Sequence, residues 1–238
     1  KKNGQVDFTY QFAAPAVTPA VAVSAANYLG GTLAPEAIAA LFGTSLSVVS
    51  QAAAAIPLPA NIGGTSITVK DALGTQRTAP LLYVSPGQIN LLLPPGTAPG
   101  AAKISVLPQV GGPLTCVAQV EAAAPALFTA NASGQGLAAA IVLQIKANGT
   151  QSFSSVGQFD PVLQRVIPVP IDLGAAGDQT FLVLFGTGLR GASAPSAINL
   201  RVGGTPIQPS FIGAQGDLAG LDQVNLLLPR SLAGRGDV

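Results

Sequence analysis

The chain has no histidine, no methionine and no tryptophan, and a single cysteine in 238 residues. Without histidine, a Ser-His-acid triad and any imidazole metal site are excluded. A lone cysteine, Cys116, excludes an intrachain disulfide framework and the Cys-rich zinc and iron–sulfur sites. Charge is scarce as well: Asp, Glu, Lys and Arg make up 9% of the chain, against about 25% in an ordinary globular domain. The 11 basic and 10 acidic residues are scattered singly, which leaves no basic patch for nucleic acid. Although 48% of the residues are hydrophobic, long apolar runs are missing. Leu137–Leu143 and Ile56–Ala60 are short or broken by proline, and a membrane-spanning helix needs about 20 apolar residues. A surface with so little charge resists association poorly. It suits a protein that is secreted, anchored or assembled.

The carboxylates are dispersed. Asp172 with Asp178, and Asp217 with Asp222, are the pairs a loop could bring together around calcium. Neither has the dense alternating acidic pattern of a calcium loop. Two carboxylates could support glycoside hydrolysis, but three tyrosines and no tryptophan make a poor sugar platform. No glycine-rich stretch fits a phosphate loop. Arg235-Gly236-Asp237 reads as turn chemistry, and the acceptor patterns at Asn131 and Asn148 would carry no weight if the chain is bacterial. The reading is therefore no enzyme, no cofactor and no metal.

What the chain does have is an internal repeat. Leu41-Phe42-Gly43-Thr44-Ser45-Leu46 returns as Leu184-Phe185-Gly186-Thr187-Gly188-Leu189. Ile62-Gly63-Gly64-Thr65 returns as Val202-Gly203-Gly204-Thr205, and Gln88-Ile89-Asn90-Leu91-Leu92-Leu93-Pro94 as Gln223-Val224-Asn225-Leu226-Leu227-Leu228-Pro229. The order is kept and the offset shifts only slowly, as expected for two copies of one unit that differ by small loop indels. The first copy runs on well past its Gln-Ile-Asn segment, whereas the second stops at Val238. The expectation is a second copy without counterparts of Lys103–Leu107 and Thr115–Val120, hence with an open edge and an exposed core.

Gly (28) and Pro (20) fall between short apolar runs, the rhythm of strands joined by turns in a sandwich. Strands are predicted at Ser66–Lys70, Leu81–Val84, Ile89–Leu93, Lys103–Leu107, Thr115–Val120, Ala140–Lys146, Phe181–Phe185, Ile198–Val202 and Val224–Leu228. Asn148-Gly149 is a hairpin turn signal. Glu36–Leu41 looks helical by alanine content, but its strand-like repeat partner Thr180–Phe185 makes it a strand too. Gln51–Ala55 is expected to form one isolated helical turn. Cys116, on an alternating run, reads as a small buried hydrophobe.

The cleanest alternation in the chain is Val6-Asp7-Phe8-Thr9-Tyr10-Gln11-Phe12. Period two puts Val6, Phe8, Tyr10 and Phe12 on one side of a strand, and burying each would contribute about 1.5–3 kcal/mol. Nothing near them in sequence can cover them. Either the segment begins partway through a longer polypeptide or its neighbouring strand comes from elsewhere. A Pro/Ala linker, Pro15–Ala20, follows it, and Ala122–Ala126 is the predicted junction between the copies.

One stretch, Ala79-Pro80-Leu81-Leu82-Tyr83-Val84-Ser85-Pro86-Gly87-Gln88-Ile89-Asn90, is preceded by Ile62–Thr65 and followed by Ala124-Pro125-Ala126-Leu127-Phe128-Thr129. It resembles the uncharacterised C-terminal domain expanded in Solibacter and other acidobacterial secreted proteins. Phe181–Leu189 and Gly220–Gly236 resemble a variant of the same family, so the likeness covers roughly residues 23–238. It implies an exported, surface-linked, immunoglobulin-like β module with no site residues to carry over. Members usually continue through a final hairpin that is not found after Val238, and the residues before Val23 match no family feature.

The sequence thus predicts an all-β chain of two tandem immunoglobulin-like β-sandwiches, 23–126 and 127–238, the second lacking its final strands. An N-terminal strand and linker, 1–22, precede them. The functional expectation is an extracellular or cell-surface structural protein that polymerises with other copies of itself. In that reading Val6, Phe8, Tyr10 and Phe12 are donor-strand anchors, and Phe181, Val183, Phe185, Val224, Leu226 and Leu228 line the acceptor groove of a neighbour. The alternative is a surface spacer or a glycan or cell-wall binding module of a larger secreted protein. The alternation leaves open whether the N-terminal strand pairs within its own chain or with another.

Overall fold

A computed structural model of the chain describes residues 20–192 and 198–236. The predicted donor anchors Val6, Phe8, Tyr10 and Phe12 lie outside the described residues, as does Asp237. The described chain is nearly all β. Its first strands are β1 (Val21–Ser24), β2 (Thr32–Leu33), β3 (Ile38–Phe42), β4 (Gln51–Ala52), β5 (Asn61–Ile62), β6 (Thr65–Lys70), β7 (Gln76–Thr78), β8 (Leu81–Val84), β9 (Gln88–Leu92), β10 (Gly100–Leu107) and β11 (Leu114–Val120). They form two sheets, ordered β1-β3-β9-β8-β4 and β2-β11-β10-β6-β5, with β7 also on β6.

The two sheets pack face to face. Leu41, Leu81, Ile89 and Leu91 of one sheet and Ile67, Val69, Ile104, Val106 and Val120 of the other belong to a single buried cluster. Strict alternation explains the match: β9 buries Ile89 and Leu91, and β10 buries Ala102, Ile104 and Val106. Asp71 closes the turn between β6 and β7. It accepts hydrogen bonds from the Leu73, Thr75 and Ala98 N–H groups and pairs with Arg77 at 2.6 Å. Burial pushes the Asp71 carboxyl up, but the Ala98 N–H, Arg77 and the Thr75 N–H together outweigh it and hold it below its ordinary value. A depressed folded pKa contributes stability that is present above the unfolded value, about 3.9, and is lost as pH falls through the folded one. The melting temperature of this half is expected to drop below about pH 4, and Asp71→Asn is expected to flatten that acid limb. An unchanged acid limb in the variant would remove Asp71 from the account.

The remaining strands are β12 (Ala126–Leu127), β13 (Ala140–Ile145), β14 (Gln151–Ser155), β15 (Gly157–Asp160), β16 (Arg165–Pro168), β17 (Gln179–Thr187), β18 (Arg201–Val202), β19 (Thr205–Pro206), β20 (Phe211–Ala214) and β21 (Asp222–Leu227). They build a third sheet, β14-β13-β17-β21-β20, with β12 also on β17, and two separate hairpins, β15–β16 and β18–β19. A 3-10 turn, Arg230–Leu232, follows β21.

The repeat seen in the sequence is a repeat of backbone geometry. β9 meets β3 with Gln88 opposite Phe42 and Ile89 opposite Leu41; β21 meets β17 with Gln223 opposite Phe185 and Val224 opposite Leu184. Gln88 donates to Asn90 Oδ1 at 2.8 Å, and Gln223 to Asn225 Oδ1 at 2.7 Å. The Gly-Gly turns coincide as well: Gly63 and Gly64 have φ of 55° and 77°, Gly203 and Gly204 of 56° and 75°. Both residues of such a two-residue hairpin turn need positive φ, which glycine supplies without steric cost. By the same pairings β13 is the counterpart of β1, β20 of β8, and the β18–β19 hairpin of β5–β6.

Two expectations are corrected. Gln51–Ala55 makes no helical turn; Gln51 and Ala52 are opposite Val84 and Tyr83, and the Ala53 N–H donates to the Leu82 carbonyl. Five residues are too few to nucleate a helix, while the edge of β8 offers ready partners. Ile198–Val202 is strand only at Arg201–Val202. Glu36–Leu41 does resolve in favour of the repeat: β3 begins at Ile38, and Glu36 stands just outside it at φ 63°. Cys116 is half-buried on β11, where burial pushes its thiol up to about 11 and the Ala22 main chain, hydrogen-bonded to it, offsets part of the rise. Among the described residues no helix is long and apolar enough to cross a membrane.

Candidate functional site

The two halves differ in how well their cores are covered. Among the described residues, the cluster between the first two sheets holds nineteen buried residues and the cluster on the third sheet holds six, Leu184, Leu189, Ile207, Val224, Leu226 and Leu228. Around those six lie half-buried apolar side chains, among them Leu182, Ile171, Leu173, Leu200, Ile212 and Leu232. Leu182 is the counterpart of Ala39, which is fully buried. The difference has a plain cause. In the first half β6, β10 and β11 roof the inner face of the β3–β9 sheet. In the second half, among the described residues, the roof is reduced to the two-residue strands β18 and β19 and irregular chain.

The predicted groove residues divide between two faces. Val224, Leu226 and Leu228 are on the inner face, and the cross-strand neighbours there are Leu184 and Leu182. Phe181, Val183 and Phe185 are opposite Leu227, Asn225 and Gln223, which puts them on the outer face beside the Gln223–Asn225 hydrogen bond. The sequence could not choose between them by alternation, because Phe181-Leu182-Val183-Leu184-Phe185 is apolar at both parities. Pairing register decides it, since directly opposed residues share a face. The inner face of β17, β21 and the residue after it therefore consists of Leu182, Leu184, Val224, Leu226 and Leu228.

Beside that face the chain crosses from one half to the other, and here the sequence reading missed the decisive residues. Arg190 Nε donates to Asp222 Oδ1 at 2.6 Å, and Asp222 Oδ2 accepts from the Leu189 N–H at 2.7 Å and the Arg190 N–H at 3.2 Å. The Asp222 side chain is wholly buried and that of Arg190 is 18% exposed. Arg190 also reaches the Leu221 carbonyl at 3.0 Å and Glu36 of the first half at 3.4 Å. Thr187 Oγ1 accepts from the Ile38 N–H at 2.8 Å and donates to the Gly220 carbonyl at 2.7 Å. Gly220 (φ 79°) lies flat against Ile38 and Leu92, where a Cβ would come within 2.5 and 2.6 Å of their side chains. The crossing chain is fixed too: the Ala124 N–H donates to the Gly188 carbonyl, and Ala126 is opposite Thr187.

Compared with known family models, curated proteins and solved structures, the chain matches none. Its own two copies are thus the comparison that informs. Asp222 and Arg190 occupy the positions that Gly87 and Ser47 hold in the first copy, and Gly220 lies in the β20–β21 loop, which is longer than the β8–β9 loop. The joint is built where the repeat breaks, and that departure is the signal that could have found it.

The carboxylate pairs weighed from sequence do separate jobs. Asp217 caps its own loop with Gln215, away from the Asp222–Arg190 pair. Asp172 accepts from the Gly174 N–H, and Asp178 from the Ala147 and Ala175 N–H groups.

Proposed function

We propose that this is a non-enzymatic extracellular structural protein that assembles by β-strand donation, the N-terminal segment Val6–Phe12 of one subunit entering the second half of another. The observation that carries the reading is the contrast, among the described residues, of nineteen buried core residues against six, on two copies that share the β1-β3-β9-β8 and β13-β17-β21-β20 pairing. A half-roofed apolar face is the receptor such an exchange requires, and a strand with four large side chains on one side is the matching ligand. The scarcity of charge and the resemblance to acidobacterial secreted modules support an exported, surface-linked setting. Exchange of this type is heterologous, so it propagates into an open filament.

Side chains, rather than a long ladder, would hold the donor. Ile207 donates its N–H to the Leu200 carbonyl, so its main chain is turned toward β18. Its neighbours Pro206 and Gln208 turn to the opposite side, and Pro206 has no N–H to give. The Ser210 N–H is already taken by the Asn225 carbonyl. The edge of β19 thus offers few main-chain partners, and Leu182, Leu184, Leu226 and Leu228 provide the contact.

Sedimentation and electron microscopy of the unmodified chain test the reading. Filaments in which density for Val6–Phe12 lies in a neighbour's second half are expected. A monodisperse monomer at every concentration examined would end it.

A further inference from the structure

Resting on strand donation, a second comparison within the chain names the slot and the direction of the donor. β11 of the first half is Leu114-Thr115-Cys116-Val117-Ala118-Gln119-Val120, seven residues long. Its inward positions are Leu114, Cys116, Ala118 and Val120, which all pack on the first core, while Val117 and Gln119 are exposed. Set beside it without a gap, Val6-Asp7-Phe8-Thr9-Tyr10-Gln11-Phe12 places Val6, Phe8, Tyr10 and Phe12 on those four positions and Gln11 on Gln119. The C-terminal flanks are alike in composition: Glu121 and then Ala122-Ala123-Ala124-Pro125-Ala126-Leu127 come after β11, and Ala13-Ala14-Pro15-Ala16-Val17 after Phe12, where the Ala-Pro-Ala step is two residues closer to the strand. In the first case the chain leaves Val120 beside Leu33, passes through the Ala/Pro segment, and enters the next half where Ala126 lies opposite Thr187.

We propose that Val6–Phe12 is the β11 of the neighbouring subunit's second half, so that every joint along the filament is crossed by the same device: a last strand, an Ala/Pro linker and the top of the next unit. The donor then runs as β11 does. β11 and β6 are both antiparallel to β10 and so run the same way, which makes the donor parallel in sense to β19, the counterpart of β6. The donor's side chains are also larger than those they replace, with Phe8, Tyr10 and Phe12 where β11 has Cys116, Ala118 and Val120. In the first half β10 adds Ala102, Ile104 and Val106 to the same core. Among the described residues of the second half nothing supplies that layer, and bulkier donor side chains fill the volume of both strands.

Disulfide trapping tests the slot. The Cys116 thiol is hydrogen-bonded to the Ala22 main chain, and Ala22 and Cys116 both pack on the first core. The counterpart of Ala22 is Ala140, since they oppose Leu41 and Leu184 in their sheets, and Ala140 packs on the second core. In a Cys116→Ser background, Phe8→Cys with Ala140→Cys is expected to give, on mild oxidation, a ladder of covalent multimers that reduction abolishes. Phe12→Cys with Ala140→Cys, which would require the donor to be reversed or shifted, is expected to give none. Ala22→Cys with native Cys116 is the positive control for an intrachain bond. Filaments that form but are trapped by the Phe12 pair and not the Phe8 pair would overturn the slot and leave donation standing. A Phe8 pair that closes within single chains would overturn donation between subunits, and so would failure of the unmodified chain to multimerise. If Phe8→Cys weakens assembly, the direction of Val6–Phe12 in an image reconstruction of unmodified filaments decides the same question: a donor antiparallel to β19 overturns the proposal.

Discussion

Replacing Phe8 by Asp is expected to leave the chain monomeric while its first half folds as before. Burying a Phe side chain contributes about 1.5–3 kcal/mol, and the substitution removes that. It also asks an unpaired carboxylate to enter a face made of Leu182, Leu184, Val224, Leu226 and Leu228, where an ion without a partner costs several kcal/mol. Together these exceed about 4 kcal/mol, which at tenfold per 1.4 kcal/mol weakens each subunit contact about a thousandfold. Sedimentation velocity reads the loss of multimers. Hydrogen exchange at Ile104 and Val106 of β10 reads the first core, whose nineteen buried residues all lie between Ala20 and Val120. Multimers of unchanged size at unchanged concentration would mean that Phe8 is no anchor and that the strand-donation reading is wrong.

Much of the fold was legible because the chain states it twice. Glu36–Leu41, helical by its alanine content, became a strand only through its partner Thr180–Phe185, and the pairing registers of β3 with β9 and β17 with β21 justify that step. The repeat even carries conformations across a change of residue: Ser45 takes a left-handed φ of 57° where the second copy has Gly188 at 74°, and Leu46 and Leu189 beyond them are both buried. Two things were not legible, for different reasons. The inner face of β17 was hidden because five consecutive apolar residues carry no period, so only the opposing strand could say which parity faces in. The joint was hidden because Arg190, Asp222 and Glu36 are far apart in sequence and occur in one copy only. A search for what recurs passes over them; a search for what the second copy changes would have stopped at Asp222 in place of Gly87 and Arg190 in place of Ser47.

That joint supports the second large effect, in the folded subunit itself. Asp222→Ala is expected to cost about 3–5 kcal/mol, the range for breaking a buried ion pair from one side. The loss is more than a Coulomb term. The Leu189 and Arg190 N–H groups, both donated to Asp222 Oδ2, lose their acceptor, and the Arg190 guanidinium is left mostly buried with only the Leu221 carbonyl and the distant Glu36 carboxylate. Each orphaned buried donor adds to the cost. Glu36→Ala provides the contrast: the Glu36 side chain is 45% exposed and 3.4 Å from Arg190, so its removal is expected to cost under about 1 kcal/mol. Urea unfolding of the two variants beside the unmodified chain distinguishes the cases. The large loss should appear as earlier unfolding of the second half, with amides of β21 such as Val224 and Leu226 losing protection before those of β10. Among the described residues the third sheet is held by a six-residue core and has little to spare, so the carboxylate that ties the end of β17 to the start of β21 matters more there than a single pair would in the first half. If Asp222→Ala and Glu36→Ala unfold at the same denaturant concentration, the buried pair is not what holds the joint, and Thr187 between Ile38 and Gly220 becomes the group to remove next.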